Sequence, residues 1–434
     1  MVHRLTATAP DFDAQFQTFL AAKRAAHEDV EQVVAAIIAE VRGRGDAALL
    51  EYTRRFDRVT LSAADLRVPD SELAGAAARC DDETIAALKL AAEHIEDYHR
   101  RQIPEDSDYR DAAGVRLGHR WTAVDAAGLY VPGGTAAYPS SVLMNALPAK
   151  VAGVARRVMV VPAPDGVLNP LVLAAARLAG VTEIYRVGGA QAIAALAFGT
   201  ATIAPVDKIV GPGNAYVAAA KRQVFGAVGI DTIAGPSEIL VVADGANDPD
   251  WIAADLLAQA EHDTAAQSIL MTDDTNFADA VIRAVDARLA TLRRGQIAGE
   301  SWTRHGAVIV VPDLEAAPPL IDRIAPEHLA LAIADPDSLA ARVRHAGAIF
   351  LGRHTPEAIG DYLAGPNHVL PTGRGARFAS GLSVLDFMKR SSLIGCDAAA
   401  LRVLGPAAAT LARAEGLDAH ALSIALRLDD DSDG

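Results

Sequence analysis

Between about Tyr130 and Ile349, short apolar runs alternate with helical periods, and few folds accommodate that rhythm. The run 158–161 stops at Pro162. Asn169 then offers an N-cap, Pro170 suits the first helical position, and a helix over 171–179 should end at Gly180. A second run, 184–187, completes a strand–helix–strand unit whose crossover should be right-handed. The pattern continues with strand 238–242 and a helix opened by Asp248 and Pro249 that reaches Glu261 or His262. Strand 268–271, helix 276–292, strands 308–311 and 329–333, helix 338–345 and strand 348–351 follow. Strands apolar along their whole length need cover on both faces, which predicts mostly parallel sheet between layers of helix.

The flanks are helical. Val30, Val33, Val34, Ile37 and Ile38 form an apolar stripe over 29–42, and Ile85, Leu88, Ile95 and Tyr98 mark a helix over 82–98. Residues 1–25 read as a leader or arm. Alanine-rich helices are expected at 398–404 and 406–415, and the acidic tail 429–434 as disordered.

Composition narrows the function. The 434 residues suit about two to four folding units. Lys plus Arg number 40 against 55 Asp plus Glu, a net charge of −15 that repels a phosphate backbone on average. Two cysteines, Cys80 and Cys396, exclude a disulfide framework and a cysteine-based structural zinc site. The first ten residues lack a signal-peptide pattern, and no uninterrupted apolar stretch reaches 18 residues. A cytoplasmic protein with neither nucleic acid nor membrane as partner is expected.

Three turns place glycine at strand ends: Tyr130-Val131-Pro132-Gly133-Gly134, Gly188-Gly189-Ala190-Gln191 and Gly211-Pro212-Gly213-Asn214-Ala215-Tyr216. Glycine permits positive φ and close approach of backbone to ligand, and a following helix can receive an anionic group on its free amides. None is a GxGxxG fingerprint and no P-loop occurs, so each turn alone reads equally as a tight turn.

Four groups of polar residues merit attention among twelve histidines and 55 carboxylates. Gln259 and His262 share a face at a helix end; imidazole suits zinc, although glutamine is a less common ligand. Glu327 and His328 sit after Pro326 at a rigid junction, where imidazole exchanges a proton near neutrality and carboxylate positions water. Asp361 is a hard oxygen ligand, and His368 follows in a Gly365-Pro366-Asn367 turn. Glu415 and His420 straddle the helix stop at Gly416. Each has a plainer reading as a helix end, loop or surface group, and periodicity alone does not assemble them.

Taken in order, GLYVPGG (128–134), YPSS (138–141), GPGNAYV (211–217), AGPSE (234–238), QAEHD (259–263), PEHL (326–329), GDYLAGPNHVLPT (360–372) and EGLDAH (415–420) resemble the histidinol dehydrogenase family over roughly residues 30–423. The resemblance implies one zinc ion per subunit, held by Gln259, His262, Asp361 and His420. It implies substrate contacts from Ser237, Gln259, His262, Glu327, His328, Asp361, His368, Glu415 and His420, and NAD contacts from Tyr130, Gln191 and Asn214. Glu327 and His328 become the catalytic pair. It further implies a homodimer in which Glu415 and His420 complete the partner's site.

Pattern and resemblance together give an α/β fold of two Rossmann-like parallel-sheet domains with small N-terminal and C-terminal helical segments. The expected divisions are a 1–25 arm, a discontinuous main domain of 26–127 and 236–381, a cofactor domain of 128–235, and a 382–434 dimerisation segment. The implied activity is the two-step oxidation of L-histidinol through L-histidinaldehyde to L-histidine, the last steps of histidine biosynthesis. A related zinc- and NAD-dependent dehydrogenase of another amino alcohol or a sulfonated polyol is the alternative. A zinc hydrolase would dispense with nicotinamide, and a non-enzymatic interaction protein would leave the expected ligand set without purpose.

Overall fold

The computed structural model describes residues 2–22, 28–133, 138–233 and 235–429. They form two compact units, one of residues 1–102 and 125–387, the other of 103–124 and 388–434.

The larger unit contains two all-parallel sheets. One orders its six strands as His3–Thr6, Ala307–Val310, Gln267–Thr272, Glu238–Ala243, His328–Ala332 and Ala348–Leu351. The other has five: Glu183–Tyr185, Arg156–Val160, Ala126–Tyr130, Lys208–Val210 and Gly229–Ile230. The mixed α/β class with helix-flanked parallel sheets therefore holds. The strand–helix–strand unit is Arg156–Val160, Pro170–Leu178, Glu183–Tyr185, and the Asn169 side chain accepts the Leu171 N–H at 2.8 Å.

Side chains alternate across the six-stranded sheet, as period-two geometry requires. Ile239, Val241 and Ala243 face a core shared with Ile252, Leu256 and Phe277. Leu240 and Val242 face the opposite core, with Phe16, Ile321 and Leu339. The stripe Val34, Ile37, Ile38 and Val41 of the helix Glu28–Arg44 buries against the helices Gly189–Phe198 and Ala215–Val224, which share a core with the five-stranded sheet.

Three local expectations change. Residues 2–22, read as an arm, supply the edge strand His3–Thr6 and the helix Phe12–Ala22. The helix expected over 338–345 is Pro336–Ala340, because the Asp322 carboxylate takes the N–H groups of Arg344 and His345 at 2.8 and 3.1 Å and draws that backbone out of helix. The two alanine-rich helices are one, Ala398–Ala414, with Pro406 accommodated inside it. Of the acidic tail, 430–434 lie outside the described residues.

The smaller unit is a three-stranded antiparallel sheet, ordered Met388–Gly395, Arg116–Ala123, Ser107–Arg110, followed by Ala398–Ala414 and a second helix, Asp418–Leu428. Gly405 lets that second helix approach: a Cβ there would lie 3.1 Å from both Ile424 and Leu428.

Candidate active site

The candidate catalytic residues gather where the six-stranded sheet begins, at the amino ends of its central strands. The helix Ala317–Ile324 stops at Ala325, a non-glycine residue held at φ +48°. Left-handed backbone costs such a residue about 1–2 kcal/mol, so the fold over-determines this corner. Pro326 follows, its carbonyl accepting the Gly347 N–H at 3.0 Å. Glu327 and His328 are thereby turned inward, 6% and 4% exposed.

His328 is the first residue of its strand and shares the face of Ala330 and Ala332, the face covered by the helix Pro249–Ala260. Its Nδ1 lies 2.9 Å from the Glu238 carbonyl oxygen. A carbonyl only accepts, so Nδ1 carries the proton and Nε2 carries the lone pair. Nε2 is buried, without a hydrogen-bond partner among the described residues, 4.0 Å from Asp361 Oδ1. Burial drives the imidazole down to about 4, opposed by the Glu238 carbonyl. Glu327 accepts the Glu238 N–H at 2.8 Å and lies 3.6 Å from His328 Nδ1. The adjacent pair therefore does converge.

Gln259 and His262 stand at the end of the helix Pro249–Ala260. Gln259 is fully buried, yet neither its Oε1 nor its Nε2 has a hydrogen-bond partner among the described residues. His262 is partly open to the surface, yet desolvation of its ring pushes its imidazole below the ordinary value against the pull of Asp361 and Glu261. Asp361, in the short helix Glu357–Tyr362, is pushed up to about 6 by burial. His368 Nδ1 donates to the Asp361 carbonyl at 3.0 Å, which leaves Nε2 to accept from the Ser141 hydroxyl at 3.4 Å. Ser237 lies just before the strand Glu238–Ala243, and its carbonyl accepts the Gln267 N–H at 2.9 Å.

Sequence reasoning missed Glu357. It is 2% exposed, its Oε1 lies 3.4 Å from His328 Nδ1, and its Oε2 is buried without a hydrogen-bond partner among the described residues. Burial raises its carboxyl well above the ordinary value, with Asp361, Glu327 and Asp255 adding repulsion. Burial also raises Asp255, to about 6. Only packing reveals this crowd of carboxyls; Pro356 and a short helix gave no signal of it.

The donor set fits a divalent cation. Buried carboxyls that repel one another, with orphaned amide, imidazole and carboxyl atoms, gain from a positive charge among them. His328, Glu357 and Asp361 offer atoms all within 4.8 Å of one another. That trio shares only Asp361 with the expected zinc ligands. His420, on the helix Asp418–Leu428, and Glu415, capping the helix Ala398–Ala414, are exposed residues of the smaller unit. The larger unit alone does not hold the full expected set.

The expected cofactor residues lie at the opposite, carboxyl edge of the five-stranded sheet. Tyr130 ends its strand; its buried hydroxyl accepts the Gly189 N–H at 3.1 Å, and burial pushes its phenol up to about 12. Gln191 is buried in the helix Gly189–Phe198, with its Oε1 unpartnered among the described residues. Asn214 is exposed and caps the helix Ala215–Val224, accepting the N–H groups of Tyr216 and Val217 at 3.1 and 3.2 Å. Gly134 lies outside the described residues.

A sequence profile described as histidinol dehydrogenase matches residues 20–428. The chain is 69% identical over 426 residues to histidinol dehydrogenase of Rhodospirillum rubrum, spanning 98% of each chain. The chain belongs to the histidinol dehydrogenase family. A second histidinol dehydrogenase, from Bradyrhizobium diazoefficiens, is 66% identical over 98% of this chain and 99% of its own. The crystal structure of histidinol dehydrogenase from Elizabethkingia anophelis superposes with a TM-score of 0.93 at 36% identity, covering 98% of both chains. The histidinol dehydrogenase fold thus extends over nearly the whole chain, both units included.

Proposed function

We propose that this chain oxidises histidinol to histidine in two NAD-linked steps, at a zinc-bearing site completed by a second subunit. The observation that carries the reading is His328: a buried imidazole whose Nδ1 proton is committed to Glu238, leaving an unpartnered Nε2 beside Asp361. It is an enzyme of the NAD-dependent oxidoreductase class. Gln259, His262, Asp361 and His420 would hold zinc, which supplies a Lewis-acid anchor for the imidazole and amine of the substrate. Bound NAD⁺, contacted by Tyr130, Gln191 and Asn214, supplies the hydride acceptor.

The chain's own residues handle the protons. His328 Nε2 takes the alcohol proton as hydride departs, leaving the aldehyde. Glu327 orients a water toward that carbonyl and takes its proton while the His328 imidazolium returns the alcohol proton to the carbonyl oxygen, giving the hydrated aldehyde and a neutral His328 once more. His328 then removes a hydroxyl proton from the hydrate as the second hydride departs, and the carboxylate of histidine results. Ser237, His368 and Glu415 contact the substrate and hold it still.

The smaller unit favours a homodimer. Its helices leave Val403, Leu411, Leu422 and Leu426 between 56% and 65% exposed, an apolar surface that a second copy would cover. Glu415 and His420 on those helices would then reach the partner's Asp361. Both cysteines are unpaired, in keeping with a reducing cytoplasm, and among the described residues no helix is long and apolar enough to cross a membrane.

NADH formation from histidinol by the zinc-loaded protein tests the reading, and no NADH would end it. Two variants separate the roles. Glu327→Gln should slow oxidation of supplied aldehyde by roughly 10²-fold, more than it slows alcohol oxidation. Equal effects on both half-reactions, measured by single-turnover NADH formation, would remove Glu327 from the water step. His262→Ala should cut zinc content at least about tenfold by metal analysis after dialysis, because no other side chain supplies its nitrogen. Full zinc occupancy in that variant would strike His262 from the ligand set.

A further inference from the structure

The three glycine-rich turns meet at Tyr130. Gly211 has φ +113° and packs so closely on Tyr130 that a Cβ would strike the Tyr130 carbonyl oxygen and come within 3.2 Å of Asn145 Nδ2. Tyr130 in turn holds Gly189 through its hydroxyl. Three residues beyond Gly211 stands Asn214.

Both polar groups of Gly211 are held by a buried ion pair. Its N–H donates to Asp231 Oδ2 at 2.7 Å, and its carbonyl accepts from Lys221 Nζ at 3.0 Å. Lys221 Nζ and Asp231 Oδ1 pair directly, with side chains 2% and 3% exposed. Asp231 is anchored as well by its own N–H, which donates to the Ile209 carbonyl at 3.2 Å. Lys221 projects from the very helix that Asn214 caps.

We propose that Lys221 and Asp231 are positioning residues, clamping the two peptide groups that flank the Gly211 Cα so that the turn ahead of Asn214 is already shaped for the nicotinamide cofactor. The proposal rests on the reading of Tyr130, Gln191 and Asn214 as cofactor contacts. Stability is a weak reason for such a pair: a buried ion pair is often matched or exceeded by apolar side chains of similar volume, because desolvation offsets the attraction. Geometry is a better reason. A glycine turn has wide conformational freedom, and an aspartate and a lysine that hold the peptide groups on either side of the Gly211 Cα remove it. Fixing the turn before binding spares the cofactor the cost of ordering it.

Two double variants test this: Lys221→Met with Asp231→Leu, which removes both holds without leaving a lone buried charge, and Lys221→Gln with Asp231→Asn, which keeps the hold on the Gly211 N–H but falls short of its carbonyl. NAD⁺ is the probe, titrated into zinc-loaded enzyme. The apolar pair should keep zinc content, histidinol KM and, within about 3 °C, Tm, yet bind NAD⁺ about tenfold more weakly. The amide pair should weaken NAD⁺ binding by roughly threefold. A histidinol KM that rises in step with the NAD⁺ Kd would mark a general structural role and overturn the proposal. An unchanged NAD⁺ Kd in whichever variant folds would overturn it too. Failure of the unmodified enzyme to bind NAD⁺ would instead remove the cofactor reading itself.

Discussion

His328→Ala is expected to lower kcat by roughly 10³-fold for both histidinol and histidinaldehyde, with NAD⁺ affinity unaltered. The effect is large because the environment has committed this imidazole to one protonation pattern. The Glu238 carbonyl holds the Nδ1 proton at 2.9 Å, and burial keeps the ring neutral. In the proposed scheme the neighbours are committed elsewhere: Glu327 serves the water step, Asp361 serves the metal, and burial drives Glu357 toward its protonated form. His328→Asn, which can still donate to the Glu238 carbonyl, should be nearly as slow, separating loss of the base from loss of packing. Zinc content, measured in parallel, discriminates further. It stays full if Gln259, His262, Asp361 and His420 hold the metal, and falls if the compact His328–Glu357–Asp361 trio does. Activity within tenfold of the unmodified enzyme would exclude His328 as the base.

The second large effect concerns stability. Gly211→Ala should reduce Tm by about 5 °C, a destabilisation on the order of 4 kcal/mol. Two causes add. The residue sits at φ +113°, and its new methyl would meet the Tyr130 carbonyl, a backbone atom that cannot rotate away. Gly153→Ala is the matched control: its φ is +88°, but a Cβ there meets nothing within 4 Å. That variant should lose only about 1–2 kcal/mol from backbone strain. Thermal unfolding of the two proteins side by side checks the difference, and equal losses would show that crowding at Tyr130 contributes nothing.

Much of the sheet architecture was legible in the chain because its signals are local. Asn169, Pro170 and Gly180 bracket a helix by cap chemistry alone, and Asp248 with Pro249 does the same for the helix that ends beside Gln259. The antiparallel sheet was not legible. Arg116–Ala123 pairs with Met388–Gly395 across some 270 positions; the first strand is half-buried and the second mostly exposed, so neither carries a continuous apolar run. The site shows the same division. Motif order located Glu327, His328, Gln259, His262 and Asp361, which the larger unit does draw toward one end of the six-stranded sheet. Glu357 and Asp255 escaped notice because an isolated acidic residue in a helix usually faces water. What makes these two unusual is what packs around them, and that depends on strands and helices far apart in sequence.

The opposite orientation of the two sites has an electrostatic consequence. Helices that flank a parallel sheet run against its strands, so the sheet's starting edge collects helix carbonyl ends and its finishing edge collects helix amide ends. Aligned peptide dipoles place roughly half a unit of negative charge at the first kind of end and positive charge at the second. Gln259 lies in the last turn of the helix Pro249–Ala260, in a field that attracts cations. Gln191 and Asn214 stand at the openings of the helices Gly189–Phe198 and Ala215–Val224, in a field that attracts anions. Before any side chain ionises, the backbone already favours a cation at one of these ends and an anion at the other, the arrangement that the proposed metal and dinucleotide would need.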